Sequence, residues 1–306
     1  MMEEKAAGPF HLAGVVPIAG QDLGFNFQWH DALMPIAPNW TLVEQAVFEC
    51  AMAGCETIWI VCHDDVQPLL RKRIGSQYQD PVYYNRTMDK FPHANRRPIS
   101  IYYVPIHPND RDKRDCLGWS VIYGALVAFQ ITSKLSRWAT PSKYFVSFPY
   151  GVSSAEFLRP HRQKISSRTS TLFTYEGKSV RDGVYANFTF GPDEWLEFRR
   201  KVRKEGTGRY SSYIAEGEKF PKQYLPLEKR WSARHFPLDK IFSVIKLSSV
   251  REIELPWHFN CDTWDGYRKF LGSKNNKETK RPREGLVKFK DYSLIGEEYE
   301  FDGDEE

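Results

Sequence analysis

The chain has 306 residues, which suffices for one α/β domain of about 200 to 250 residues with an appendage. Its formal net charge of +4 is small for this length, so a polyanionic partner is not required. The polar, acidic N-terminus and the lack of an apolar run near ~18 residues argue against a signal peptide and a membrane span. The five cysteines form no C-x-x-C pair, as expected for reduced thiols, and we expect a cytoplasmic protein.

The first 62 residues predict a strand, a glycine loop, a helix and a second strand. Residues 15–18 form a short apolar strand, and Gly20 and Gly24 bracket a loop whose backbone N–H groups can approach a phosphate. Thr41 caps the helix, which ends at Gly54. Residues 57–62 are a nearly unbroken apolar run, typical of a parallel strand covered on both faces.

Strands and helices continue to alternate along the chain, as a parallel sheet requires. The further predicted strands are residues 99–104, 144–148, 171–175, 183–190 and 251–255. The further predicted helices are residues 66–74, 117–134, 192–204, 238–247 and 263–271. Residues 76–98 contain three prolines and are expected to be irregular. In the helix at 192–204, we expect Trp195, Leu196 and Phe198 to face inward and the basic side chains outward.

These elements predict an α/β domain over residues 1–271, built on a single twisted, mostly parallel sheet with helices on both faces. Strands 15–18, 57–62, 99–104 and 144–148 are expected to be adjacent at its centre. Right-handed crossovers then bring the Gly20 loop and a turn at Gly151 to the same carboxyl edge. Residues 205–232 predict a linker or lid, and residues 272–306 a charged C-terminal extension that is mobile or docks on a partner.

Several short motifs, in this order, resemble those of the nucleotide-diphospho-sugar transferase fold. They resemble in particular the nucleotidyltransferases, which join a nucleoside triphosphate to a sugar phosphate or similar acceptor. ALMPI at 32–36 and AGCETIWI at 53–60 are similar to the family segments around its first helix. DCLGWSVIYGA at 115–125 is similar to the loop that reads the base, and KYFVSFPYGV at 143–152 lies where the family's central strand ends in Gly-Asp. FNCDTWDGY at 259–267 is similar to the late D-T-P-E-D-L segment.

The resemblance implies a site at the carboxyl edge of the sheet. The nucleotide-binding residues it implies are Gly20, Gln21, Gly24, Leu117 and Gly118. It assigns Asp262 to a magnesium site, and it gives Asp31 and Asp262 catalytic roles if the chain is active. Magnesium is then the only cofactor expected.

Several charges that the family uses are missing. Phe25 stands at the family's arginine, Asp31 stands at its phosphate-binding lysine, and the metal-binding aspartate is replaced by Gly151, Val152 or their neighbours. Phosphoryl transfer depends on positioning and neutralising the phosphates, so these changes weaken the case for catalysis. We therefore predict a catalytically degenerate, non-catalytic binding or structural component with protein partners and, at most, weak nucleotide binding. The alternative is an active metal-dependent nucleotidyltransferase that uses Asp22, Asp31 or Asp112 from a loop.

Other candidate sites have simpler interpretations. The basic runs at 71–73 and 199–204 lie on predicted helices, where a solvated face is more common than a nucleic-acid interface. The histidines show neither the i, i+4 spacing nor the neighbouring cysteines of a zinc site. Ser153 and Ser154 follow a glycine at a strand end, but the second glycine of a nucleophile elbow is absent.

Overall fold

A computed structural model describes residues 10–20, 29–81, 98–111, 114–135, 140–205 and 236–281. The strands are β1 (Leu12–Pro17), β2 (Pro35–Ala37), β3 (Trp40–Thr41), β4 (Thr57–Cys62), β5 (Gln77–Gln79), β6 (Pro98–Pro105), β7 (Lys143–Val146), β8 (Gly151–Ser153), β9 (Ser170–Thr174), β10 (Phe188–Phe190), β11 (Val250–Glu254) and β12 (His258–Asn260). The α-helices are α1 (Leu42–Ala53), α2 (Gln67–Ile74), α3 (Pro108–Arg111), α4 (Leu117–Leu135), α5 (Ala155–Leu158), α6 (Arg162–Ile165), α7 (Pro192–Glu205), α8 (Leu238–Phe242), α9 (Trp264–Leu271) and α10 (Lys274–Glu278). Nearly all of the predicted linker at 205–232, and the C-terminal extension beyond residue 281, lie outside the described residues.

Eight of the strands form one mixed, mostly parallel sheet in the order β11-β9-β10-β7-β1-β4-β6-β5. The four central strands, β7, β1, β4 and β6, are parallel neighbours, which confirms the predicted centre of the sheet. Strands β5 and β10 run antiparallel to their neighbours, and β11 is parallel to β9. The two remaining pairs, β2 with β3 and β8 with β12, are small antiparallel sheets.

Helices cover both faces of this sheet. The chain crosses the sheet in one direction from β1 to β4 through α1 and on to β6 through α2. It then returns in the opposite direction, from β6 to β7, through α4. Because right-handed crossovers that run in opposite directions lie on opposite faces, α1 and α2 cover one face and α4 the other. Strand β1 is buried along its whole length, with α1 and α4 packed against it.

The start and end of α1 follow the sequence prediction. The Glu44 carboxylate accepts hydrogen bonds from the Thr41 backbone N–H at 2.9 Å and from the Thr41 hydroxyl at 2.8 Å. Gly54 ends the helix in the left-handed conformation, at φ +95°. No helix in the described ranges is both long and apolar enough to cross a lipid bilayer.

The structure corrects four details of the sequence prediction. Residues 77–79, expected to be irregular, form β5 because their backbone pairs with the edge of β6. The strand expected at 183–190 begins only at Phe188, after a capped 3-10 turn at Val180–Asp182. The helix expected at 238–247 is α8, which ends at Phe242. Leu196 is 42% exposed, whereas Phe198 is fully buried as expected.

Candidate functional site

The carboxyl ends of β1, β4, β6 and β7 meet at one edge of the sheet, the edge at which open α/β sheets bind ligands. Gly20 follows β1 at this edge, His63 follows β4 and Ser147 follows β7. Gln21 and Gly24, two of the nucleotide-binding residues implied by the resemblance, lie outside the described residues. Phe25, Asp22 and Asp112 lie outside them as well.

Gly20 packs directly on the chain that leads into α4. It has φ +85°, and a methyl group on it would lie 2.5 Å from the backbone N and Cα of Cys116. The Ser120 hydroxyl donates a hydrogen bond of 2.8 Å to the Ala19 carbonyl, which holds the two segments together. Each face of an inserted base would need about 3.5 Å of separation, so no base fits between Gly20 and Cys116 in this arrangement.

Leu117 and Gly118, the implied base-reading residues, lie beside this contact but face the protein interior. The Leu117 side chain is only 3% exposed. A methyl group on Gly118 would meet the Ile241 side chain of α8 at 2.4 Å, so α8 covers this glycine. The structure therefore brings Gly20, Leu117 and Gly118 together, with the two α4 residues buried.

The end of β7 is also closed. The strand ends at Val146, so the first two residues at the carboxyl edge are Ser147 and Phe148, and both are fully buried. The resemblance places the metal-binding aspartate further on, at Gly151, Val152 or their neighbours, and Gly151 and Val152 open β8 and are buried as well. The Phe148 ring packs against the rings of Tyr185 and Phe188, with centroids 5.8 and 6.2 Å away.

The Ser147 hydroxyl donates a 2.7 Å hydrogen bond to a carboxylate that sequence reasoning did not single out, that of Glu49 on α1. Glu49 also accepts hydrogen bonds from the Asn187 side chain at 2.9 Å, from the Ser153 hydroxyl at 3.1 Å and backbone N–H at 3.3 Å, and from the Gln45 side chain at 3.4 Å. Its side chain is fully buried, and burial raises the pKa of its carboxyl group. One feature of the sequence indicates that Glu49 is buried: it lies three residues after Ala46 and so shares the apolar face of the helix.

Glu49 therefore serves the fold. Its hydrogen bonds tie α1 to β8, to the turn after β7 and to the residue before β10. The five hydrogen bonds that it accepts come from protein donors, and the side chain has no access to solvent. A carboxylate in this state is a structural anchor, because a substrate or ion cannot reach it without the opening of the core.

Asp262 lies at the carboxyl edge, as the resemblance implies. The Cys261 N–H donates a 2.7 Å hydrogen bond to the Tyr150 carbonyl, which joins the end of β12 to the turn after β7. Partial burial raises the pKa of the Asp262 carboxyl group. Magnesium usually takes one or two carboxylates together with phosphate oxygens in octahedral geometry. Within the described ranges, no cluster of three or more His, Cys, Asp or Glu side chains is placed to hold a metal ion, and the magnesium site at Asp262 stays a prediction.

Asp31 opens a 3-10 helix, Asp31–Leu33, just before β2. The hairpin of β2 and β3 is attached to α9, because the Tyr267 hydroxyl donates a hydrogen bond to the Pro35 carbonyl. This contact connects the segment that carries Asp31 with the helix that follows Asp262. The predicted phosphate contact at Asp31 remains a prediction.

Paired charges surround the start of α4. His63 Nε2 lies 3.3 Å from Asp115 Oδ2, and this hydrogen bond raises the pKa of the imidazole. Asp64 and Arg111 form an ion pair at 2.8 Å. In the sequence His63 is one of several scattered histidines, because its partner Asp115 lies 52 positions further along the chain.

Comparison with known proteins agrees with the geometry of the sheet. The sequence matches no protein-family model and no curated protein. A solved structure of a Bacillus anthracis protein named as a glucose-1-phosphate thymidylyltransferase is similar over 89% of this chain and 98% of its own, with a TM-score of 0.55 and 9% identity. A UDP-glucose pyrophosphorylase solved with UDP-glucose covers 88% of this chain and 100% of its own, with a TM-score of 0.49 and 11% identity. The chain thus has the nucleotide-diphospho-sugar transferase fold.

Proposed function

We propose that this chain is a catalytically degenerate member of the nucleotidyltransferase-like fold, which acts as a non-catalytic binding or structural component. The observation that best supports the proposal is the burial of Gly151 and Val152 at the start of β8, where the resemblance places a metal-binding aspartate. Neither residue has a carboxylate, and the hydroxyl of the neighbouring Ser153 donates its hydrogen bond to the buried Glu49. This strand therefore offers no ligand to a metal at the edge of the sheet.

The charges at the edge give further support. Asp31 puts a negative charge where the resemblance implies a lysine, and Asp262 is the one metal-binding aspartate of the family motifs that the sequence retains. A lost charge-assisted contact costs about 1 to 3 kcal/mol, and a charge reversal adds to this loss. Together these changes remove much of the electrostatic stabilisation on which phosphoryl transfer depends.

The alternative is an active metal-dependent nucleotidyltransferase. The position of Asp262 at the carboxyl edge favours it, as does the fold shared with a protein named as a thymidylyltransferase. Residues 21–28 and 112–113 contain Asp22 and Asp112, and these carboxylates would complete a metal site in that case. The two proposals differ in turnover and in their dependence on magnesium.

The test is pyrophosphate release by the purified chain from each of the four nucleoside triphosphates, with magnesium and a panel of sugar phosphates. We expect no release above background. Calorimetry is expected to show weak triphosphate binding that changes little when magnesium is removed, because the carboxylates for the metal are incomplete. Tight, strictly magnesium-dependent binding that is lost in an Asp262→Ala variant would instead establish the active enzyme.

A second prediction concerns Asp31. If it lies beside the phosphates, Asp31→Lys replaces repulsion with attraction, and we expect triphosphate binding to tighten about tenfold without any turnover. The matched control is Glu252→Lys on the exposed face of β11, which makes the same charge change on an edge strand. Equal effects of the two substitutions would show that only net charge matters. Turnover by the unmodified chain that is lost in Asp31→Lys would sink the non-catalytic proposal.

A further inference from the structure

An apolar groove lies between α4 and α7, beside the start of β7. It has a volume of about 360 Å³ and is lined by Ala125, Leu126, Phe129, Tyr144, Trp195 and Leu196. Phe129 is 50% exposed and Leu196 is 42% exposed. The Trp195 indole N–H donates a 2.9 Å hydrogen bond to the Ile122 carbonyl, which fixes α7 against α4. The groove is therefore preformed, and its walls keep large apolar side chains in contact with solvent.

A row of arginines continues from this groove along α7. Arg199, Arg200 and Arg203 lie three, four and seven residues after Leu196, so they share its face of the helix. All three are exposed, and the Arg199 guanidinium lies 5.4 Å from the centre of the Trp195 ring. Among the described residues no carboxylate forms an ion pair with any of them, whereas Lys201 pairs with Glu205 at 3.0 Å. The surface thus combines an apolar groove with an adjoining positive row.

The C-terminal segment of this same chain has the complementary chemistry. Tyr292, Leu294 and Ile295 are followed by seven acidic residues between positions 297 and 306, with no lysine or arginine among them. Apolar residues therefore come first in the segment and acidic residues follow, in the same order as the groove and the arginine row on the surface. Charge complementarity of this kind selects among partners and steers their encounter.

The segment is long enough to cross a large part of the domain. The described part of the chain ends at Arg281, and Leu294 follows thirteen residues later. A chain of that length spans up to ~43 Å when extended, which is about twice the ~19 Å radius of gyration expected for a domain of this size. From Leu196 to Arg203 the helix rises only ~10 Å, a distance that three or four extended residues cover.

The geometry points to intramolecular docking: the C-terminal segment 292–302 binds the α4–α7 groove of its own chain, with Leu294 and Ile295 in the groove and the following carboxylates on Arg199, Arg200 and Arg203. This surface shares no residue with the carboxyl-edge site, so the inference goes beyond the proposed function and does not depend on it. The docked segment shields the exposed rings and neutralises the positive row. The inference thus gives a binding role to the exposed apolar and arginine side chains of α4 and α7.

The test is disulfide formation in the full-length chain that carries Leu196→Cys and Ile295→Cys. All five native cysteines are buried. The two introduced thiols are therefore the ones exposed to oxidation. The matched control pairs Ile295→Cys with Leu69→Cys on α2, a leucine on the other face of the sheet that is 53% exposed and so at least as accessible as Leu196. Under mild oxidation we expect the groove pair to form an intrachain disulfide at least ~10-fold faster, because docking raises the effective concentration.

Charge reversal provides the second measurement. In the same cysteine pair, Arg200→Glu with Arg203→Glu is expected to slow disulfide formation about tenfold, and high salt is expected to act in the same direction. Lys72→Glu with Lys164→Glu, at exposed sites away from the groove, is the control for net charge. Equal rates of disulfide formation for the groove and control pairs would overturn the inference. A rate that does not change when the arginines are reversed would overturn it too. Disulfides found only between two chains would overturn it in favour of exchange between copies.

Discussion

Replacing Glu49 with alanine is expected to lower the free energy of unfolding by about 3 to 4 kcal/mol at neutral pH. The substitution leaves five N–H and O–H donors, on Gln45, Ser147, Ser153 and Asn187, facing a buried cavity. Each unsatisfied buried donor costs about 1 to 3 kcal/mol, and relaxation or entering water recovers part of that loss. Urea unfolding followed by circular dichroism measures the change.

Glu252→Ala is the matched control for this experiment, because the Glu252 side chain is exposed on β11. Its loss is expected to remain within about 0.5 kcal/mol. If the two alanine variants lose similar stability, Glu49 does not anchor α1 to the sheet. The burial of β8, which supports the non-catalytic proposal, would then also be in question, because Ser153 of this strand donates a hydrogen bond to the Glu49 carboxylate.

The pH dependence of stability gives a second readout of Glu49. Burial raises the pKa of this carboxyl group above its ordinary value of 4.5, so the folded chain holds the proton more tightly than the unfolded chain. The stability that comes from the proton on Glu49 is therefore fully present below pH 4.5 and is lost as the pH rises from 4.5 through the raised pKa, whereas the hydrogen bonds to the side chain remain. The stability of the native chain relative to a Glu49→Gln variant is expected to decrease over that range. A difference that does not change with pH would contradict the raised pKa.

Local sequence signals predicted the centre of the fold well. The capping residues Thr41 and Glu44, the glycine at 54 and the apolar run at 57–62 specify their elements within a few positions of the chain. Strand β5 escaped prediction because its three residues, two glutamines on either side of a tyrosine, are too few to show a strand pattern, and their conformation depends on pairing with β6. Hydrophobic periodicity indicates the conformation that a segment prefers by itself, whereas the conformation of so short an edge strand depends on pairing with its neighbour.

The site was harder to predict because its contacts join distant parts of the chain. The donors to Glu49 at positions 147, 153 and 187 come from three different elements, and no local motif records their convergence. Gly20 follows β1 of the main sheet, whereas Asp262 follows β12, which a hydrogen bond from Cys261 joins to the turn after β7. The resemblance did not reveal that Leu117 and Gly118 are buried, because burial depends on α8, more than a hundred residues further on.

Replacing Gly20 with alanine is expected to lower the free energy of unfolding by about 3 to 4 kcal/mol. Alanine at a positive φ costs about 1 to 2 kcal/mol, and an overpacked contact typically adds about 1 to 3 kcal/mol. The added methyl group would lie 2.5 Å from the Cys116 backbone, which is held in place by the start of α4 and has little freedom to move. Chemical denaturation measures the loss.

Gly183 is a close control, because it has the same φ of +85° but no atom lies within 4 Å of the position that a methyl group would take. We expect Gly183→Ala to cost only about 1 to 2 kcal/mol, the cost of the backbone conformation alone, so the difference of about 2 kcal/mol isolates the contact with Cys116. Equal losses would mean that α4 stands away from the Gly20 loop in solution. The close packing of Gly20 on the chain that leads into α4 would then be contradicted.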